Sequence, residues 1–156
     1  MDVCNFNLIE HKDIVQNFIE KKISNLDHEI LSSYIDKSNK SFLIFENKQL
    51  LGFVPLFFEL DKDGNKFGKF FDISIPGPIF SEYIESKKFK KLVALTLETI
   101  DAKCEKELVQ SVKINFSDLI NFNTNSQNFL ILLEILLKNG FNNKSFLGLR
   151  LDISSE

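Results

Sequence analysis

The residues whose types and spacing suggest chemistry crowd into the window from Asp61 to Tyr83. Gly64-Asn65-Lys66-Phe67-Gly68-Lys69 offers two glycines and two lysines, the ingredients of a phosphate-holding loop. It is one residue short between the glycines, and Phe70 stands where such a loop needs a metal-binding hydroxyl. A turn running into a strand accounts for it. Asp61, Asp63 and Asn65 alternate as calcium ligands do, but the glycine comes two positions early and no glutamate stands at the twelfth place. A turn is again expected. Cys4, His11, His28 and Cys104 have no ligand spacing, so no metal is expected. No Ser-His-Asp set, Cys-His set or carboxylate pair can be argued, and no catalytic residue is assigned.

Ile75-Pro76-Gly77-Pro78-Ile79 is the most informative stretch in the window. An apolar run ends there and a long amphipathic helix pattern begins near Ser86. Strand-to-helix junctions are where backbone N–H groups gather around a phosphate. Proline has none, so of Pro76, Gly77 and Pro78 only Gly77 can donate. Ile75 and Gly77, each preceding a proline, are also biased toward extended geometry. The junction is stiff and poor in donors, which argues against a nucleotide pyrophosphate there; no cofactor is expected.

Two charged groups stand outside that window. Lys87, Lys88, Lys90 and Lys91 open a helix, where the dipole disfavours positive charge. With Glu82 and Glu85 close by, a solvated face is expected rather than an RNA or phosphate contact. Arg150 and Asp152 share one face of the last strand, as an ion pair at an edge or as the lining of a groove.

The elements that must position these residues follow from periodicity. Residues 12–24 carry apolar positions at helical spacing, and Asp27 can cap a second helix from His28 to Asp36. Phe42–Glu46 and Leu50–Leu60, separated by Asn47-Lys48-Gln49, predict a hairpin, with Pro55 marking a bulge, an edge or a release of pairing. A third strand is expected from Lys66 to Ile75. Phe89, Leu92, Val93, Leu97, Ile100 and Cys104 then mark the buried face of the main helix. Val112–Phe116 is a strand, a helix runs from the cap Ser126 to Asn139, Gly140 suits a left-handed C-terminal cap, and residues 146–153 form the last strand. The predicted order is ααβββαβαβ: an α/β (α+β) domain with a mixed, largely antiparallel sheet flanked by helices.

Bulk properties agree with one core. The 156 residues are 44% hydrophobic, 17 of them Phe, and the net charge of -3 gives no global reason to expect DNA or an anionic membrane. Eighteen of the 19 basic residues are Lys, which reads as coding bias rather than chemistry. Two distant cysteines and no signal peptide suggest reduced thiols and a soluble, cytoplasmic protein. No apolar run is long enough for a transmembrane segment.

The element order is similar to that of the GNAT acetyltransferases. Lys48 to Leu56 resembles their charged-turn hairpin, and Leu137-Lys138-Asn139-Gly140-Phe141 resembles their helix-to-strand ending. Ile75-Pro76-Gly77-Pro78 replaces the glycine-rich loop on which those enzymes rest coenzyme A. The chain more closely resembles the FemAB-like transferases, including the peptidoglycan-bridge aminoacyltransferases. Gly52-Phe53-Val54-Pro55-Leu56 looks like their Gly-x-x-Pro-Leu strand, Pro76-Gly77-Pro78 like their Gly-Gly-Pro segment, and Leu151-Asp152-Ile153-Ser154 like the end of their first half.

That resemblance implies an acyl- or aminoacyl-transferase of cell-envelope biogenesis, acting on an amine in a peptidoglycan precursor or amino sugar. Residues 1–156 would be a single GNAT-like domain, the N-terminal half of a two-domain enzyme and inert when isolated. The missing C-terminal half or a partner subunit would bring aminoacyl-tRNA or another acyl donor. Asp72, Ser74, Gly77 and Tyr83 would border the substrate groove and position the acceptor. Two alternatives stand beside it: a non-catalytic protein-binding module, and a single-domain N-acetyltransferase with an aberrant coenzyme A loop.

Overall fold

A computed structural model describes residues 1–20, 38–70, 77–115, 126–145 and 148–152. The helix expected over 28–36 and residues 71–75 of the expected third strand lie outside them. Asp2–Asn5 forms β1 and Leu8–Glu20 forms α1, which begins four residues before the expected start at 12. Asn7 explains the early start: its Oδ1 accepts the Ile9 amide at 2.9 Å, capping orphan N–H groups of the first turn.

Asn47 and Lys48 both adopt left-handed backbone angles, φ 49° and 66°. That is the two-residue turn whose twist suits a hairpin, and it joins β2 (Phe42–Glu46) to β3 (Gln49–Val54). Pro55 then divides the expected strand of residues 50–60 in two. β3 belongs to a sheet of order β1-β2-β3-β6, where β6 is Ile79–Phe80. β4 (Leu56–Leu60) belongs to a second sheet, β4-β5-β7-β9-β8. Of its remaining strands, β5 is Lys66–Phe70, β7 Ser111–Asn115, β8 Phe141–Ser145 and β9 Gly148–Asp152.

Residues 38–41 stitch the two sheets together. The Phe58 amide donates to the Ser38 carbonyl at 2.9 Å and the Lys40 amide to the Leu56 carbonyl at 2.7 Å. Between them the Ser41 hydroxyl accepts the Leu56 amide at 3.0 Å, supplying the bond that a break at Pro55 would otherwise cost.

Helices cover both faces. Val15 and Ile19 of α1 pack on Leu43, Leu50, Phe53 and Ile79. The opposite face carries Phe42, Ile44, Leu56 and Phe58 under two helices, α2 (Ser86–Glu107) and α3 (Ser126–Lys138). All six residues expected on the inner face of α2 are buried, and Thr96 joins them. Each large one contributes about 1.5–3 kcal/mol as an upper estimate. Gly140, at φ 86°, closes α3 as expected.

Three strands escaped the sequence pattern. β1 is four residues long, β6 is two, and β8 (FNNKS) has no apolar alternation. β9 lies between β7 and β8, so the last expected strand is interior and Arg150 and Asp152 are not on a sheet edge. Their registers are Lys113↔Arg150 and Ser111↔Asp152.

Candidate functional site

β5 and β6 run along the same side of the β3–β4 strand. Phe70 pairs with Leu56, and Ile79 with Phe53. Pro55, without an N–H, lies between these two pairings, where the chain passes from one sheet to the other. Asp72 and Ser74 lie outside the described residues. Gly77 and Pro78 are buried immediately before β6.

The segment from β6 to α2 is tightly held. Gly52 faces Phe80 so closely that a Cβ there would lie 3.1 Å from the ring. The Ser81 amide continues the ladder, donating to the Leu51 carbonyl at 2.9 Å. Phe80 meets Phe89 of α2 edge-on, ring centroids 5.3 Å apart, and Asn128 of α3 donates from Nδ2 to the Ile84 carbonyl at 3.0 Å. Between these anchors Tyr83 is 95% exposed. An aromatic ring is thus presented to solvent from a clamped turn.

Tyr83 borders a cleft of about 410 Å³ on the α1 side of the sheet. α1 contributes Ile14, Asn17 and Phe18, and the hairpin contributes Gln49 and Leu50. Ser81 and Glu82 complete the rim. Ile14, Phe18, Leu50 and Tyr83 supply apolar contact, the amides and hydroxyl supply hydrogen bonds, and Glu82 is the only carboxylate among these residues. A few polar groups thus stand over an apolar floor, the general make-up of a small-molecule site. Of the four residues expected to border a groove, Tyr83 reaches this cleft directly, and Gly77 belongs to the segment leading to it. The α1 and hairpin residues went unrecognised because helical spacing marks Ile14 and Phe18 simply as core.

The other chemical patterns resolve into structure. Asp61 Oδ1 accepts the amides of Asp63 and Asn65, each at 2.9 Å, and Gly64 takes φ 81°. The Asn65 amide leads the bonds that hold the Asp61 carboxyl below its ordinary range. Gly68 is packed in β5, where a Cβ would meet Val112 at 3.1 Å, and Lys69 pairs with Glu59 at 2.9 Å. Turn and strand account for the whole stretch.

Lys88 forms an ion pair with Glu46, anchoring the start of α2 to the end of β2, while Lys87, Lys90 and Lys91 are exposed. His11 is half-buried in α1, accepting the Asn7 amide at Nδ1, 2.9 Å, with Cys4 Sγ 4.0 Å from Nε2. Cys104 is buried in the core, and desolvation pushes its thiol up to about 12. Among the described residues no three His, Cys, Asp or Glu side chains are grouped to hold a metal ion. Nor is any described helix long and apolar enough to cross a membrane.

The fold can now be placed among known proteins. No protein-family model and no curated protein matches the chain. Among solved structures it is similar to the acetyltransferase of the GNAT family from Streptococcus pneumoniae, with a TM-score of 0.54 and 12% sequence identity. The match covers 96% of this chain and 95% of that one. The fold is GNAT-like. At that identity the likeness concerns architecture: a mixed α+β domain with largely antiparallel sheets, one parallel pair between β5 and β7, and helices on both faces.

Proposed function

We propose that this chain is an acyltransferase scaffold whose cleft beside Tyr83 receives an amine-bearing acceptor. The observation carrying the proposal is the clamped turn 77–84, which joins a GNAT-like framework to an exposed aromatic and a carboxylate at one small cleft. Fixing the acceptor amine lowers a transfer barrier through orientation, the contribution expected of Tyr83, Ser81 and Glu82.

The finer reading is FemAB-like: the first half of an acyl- or aminoacyl-transferase of the cell envelope, joined to a second half that brings the donor. It is supported by the structural sense of Gly52-Phe53-Val54-Pro55-Leu56. Gly52 makes room for Phe80, and Pro55 stands where the chain passes from β3 in one sheet to β4 in the other. This reading expects the gene to continue past codon 156 into a second domain. In that two-domain protein, deleting Gly77-Pro78 should abolish transfer to an amine acceptor. Unchanged turnover overturns the assignment.

A second reading, a single-domain N-acetyltransferase, is favoured by the match along nearly the whole of an acetyltransferase chain. Titration with acetyl-CoA separates the two. The FemAB-like reading expects no heat and no thermal protection from this chain, whereas saturable binding establishes the single-domain reading.

A further inference from the structure

A second cleft, of about 630 Å³, lies on the opposite face of the sheet, between β1, residues 39–41 and the C-terminal half of α2. Its wall carries three ammonium groups, on Lys40, Lys103 and Lys106, against the single carboxylate of Glu107. Three positive charges less one negative leave an excess of two, on a molecule whose net charge is -3. Lysines near a helix C-terminus need no ligand to explain them, since they complement the dipole from solvent. Lys103 does something else. Its Nζ turns into the cleft wall, 2.6 Å from Asn5 Oδ1 and 5.6 Å from the centroid of the Phe42 ring. Burial there, and then the charge of Lys40, push its ammonium below the ordinary lysine value. The attraction of Glu107 does not restore it, because that carboxylate also binds Lys40 at 3.0 Å and Lys66 at 3.5 Å. Among the described residues lining the cleft, positive charge exceeds negative by two.

We propose that this cleft binds a small phosphorylated molecule, its phosphoryl group held by Lys40, Lys103 and Lys106. A phosphate monoester carries about -1.5 to -2 at neutral pH, which matches the local excess. Ammonium groups act on phosphate as point charges and need no planar fork. The cleft is larger than a phosphate ion alone and falls within the usual 300–1,000 Å³ of small-molecule sites. Thr99, also in its lining, gives its hydroxyl proton to the Leu95 carbonyl at 2.8 Å and turns oxygen lone pairs to the remainder of the ligand as an acceptor. The site lies at the far end of α2 from the proline junction, and the proposal does not rest on the transfer reading.

Isotope-labelled protein titrated with glucose 6-phosphate, inorganic phosphate and glucose tests it by amide chemical shifts. The two phosphates should move the Lys40, Lys103 and Lys106 resonances and glucose should not. A stronger effect of glucose 6-phosphate marks an organic phosphate as the ligand; equal effects mark free phosphate. Lys103→Gln with Lys106→Gln should weaken binding by about tenfold or more. Lys106→Gln alone, an exposed change that spares the packing of Lys103, should weaken it measurably, and Lys87→Gln with Lys90→Gln at the other end of the helix should not. Absence of saturable shifts, or affinity that survives the first pair and falls with the second, overturns the proposal.

Discussion

Ser41 shows how a single buried hydroxyl sustains the architecture around the candidate site. It is 2% exposed and receives the Leu56 amide where the strand has just passed Pro55. Ser41→Ala removes the acceptor and leaves that amide buried without it. The expected loss is about 1–3 kcal/mol of stability, the desolvation cost of an unsatisfied donor. Urea unfolding of the variant measures it, and a midpoint equal to that of the parent protein refutes the role. Tyr83 illustrates the opposite case. With 95% of its surface in water its ring adds little to the core, so Tyr83→Ala should leave the urea midpoint nearly unchanged.

Among the elements, the short β6 matters more than its two residues suggest. Pairing of Gly52 with Phe80 and of Phe53 with Ile79 fixes the path from the proline junction to α2. Gly52 permits this because only hydrogen occupies the space beneath the Phe80 ring. Gly52→Val should push that ring away, detach β6 and cost about 1–3 kcal/mol as an overpacked core position. In a Gly52→Val protein the Ser81 amide, now bonded to Leu51, should lose its protection from hydrogen exchange. Retained protection there would show that β6 does not depend on the glycine. Gly52→Ala, whose added methyl lies 3.1 Å from the ring edge, should be the milder change.

Across the whole molecule, Glu107 joins three separate parts: the end of α2, Lys40 beside the sheet junction, and Lys66 at the start of β5. Burial works against its ionisation, but the Lys40 hydrogen bond and the charges of Lys40 and Lys66 outweigh it. The carboxyl is held below its ordinary 4.5. A lowered folded-state pKa contributes stability that is complete above the unfolded value and is lost as pH falls through the folded one. Acid unfolding should therefore be driven in part by Glu107 at pH below its ordinary 4.5. Glu107→Gln should flatten the decline of melting temperature with pH in that range. An identical slope in the variant would remove Glu107 from the account.

The sequence by itself determined whatever depends on neighbours in the chain. The buried face of α2 is set by three- and four-residue spacing, the hairpin by the polar break at Asn47-Lys48-Gln49, and the end of α3 by Gly140. The donor-poor character of Pro76-Gly77-Pro78 is likewise written in residue type. Only the tertiary structure decided that Pro55 hands one strand from sheet to sheet, because that depends on Ser41 lying opposite it. It also decided that β9 is interior, since β8 has too polar a pattern to announce itself. The two clefts were illegible for the same reason. Ile14, Gln49 and Tyr83 meet on one face, and Lys40 and Lys103 on the other, through packing between segments distant in sequence, and periodicity carries no record of such meetings.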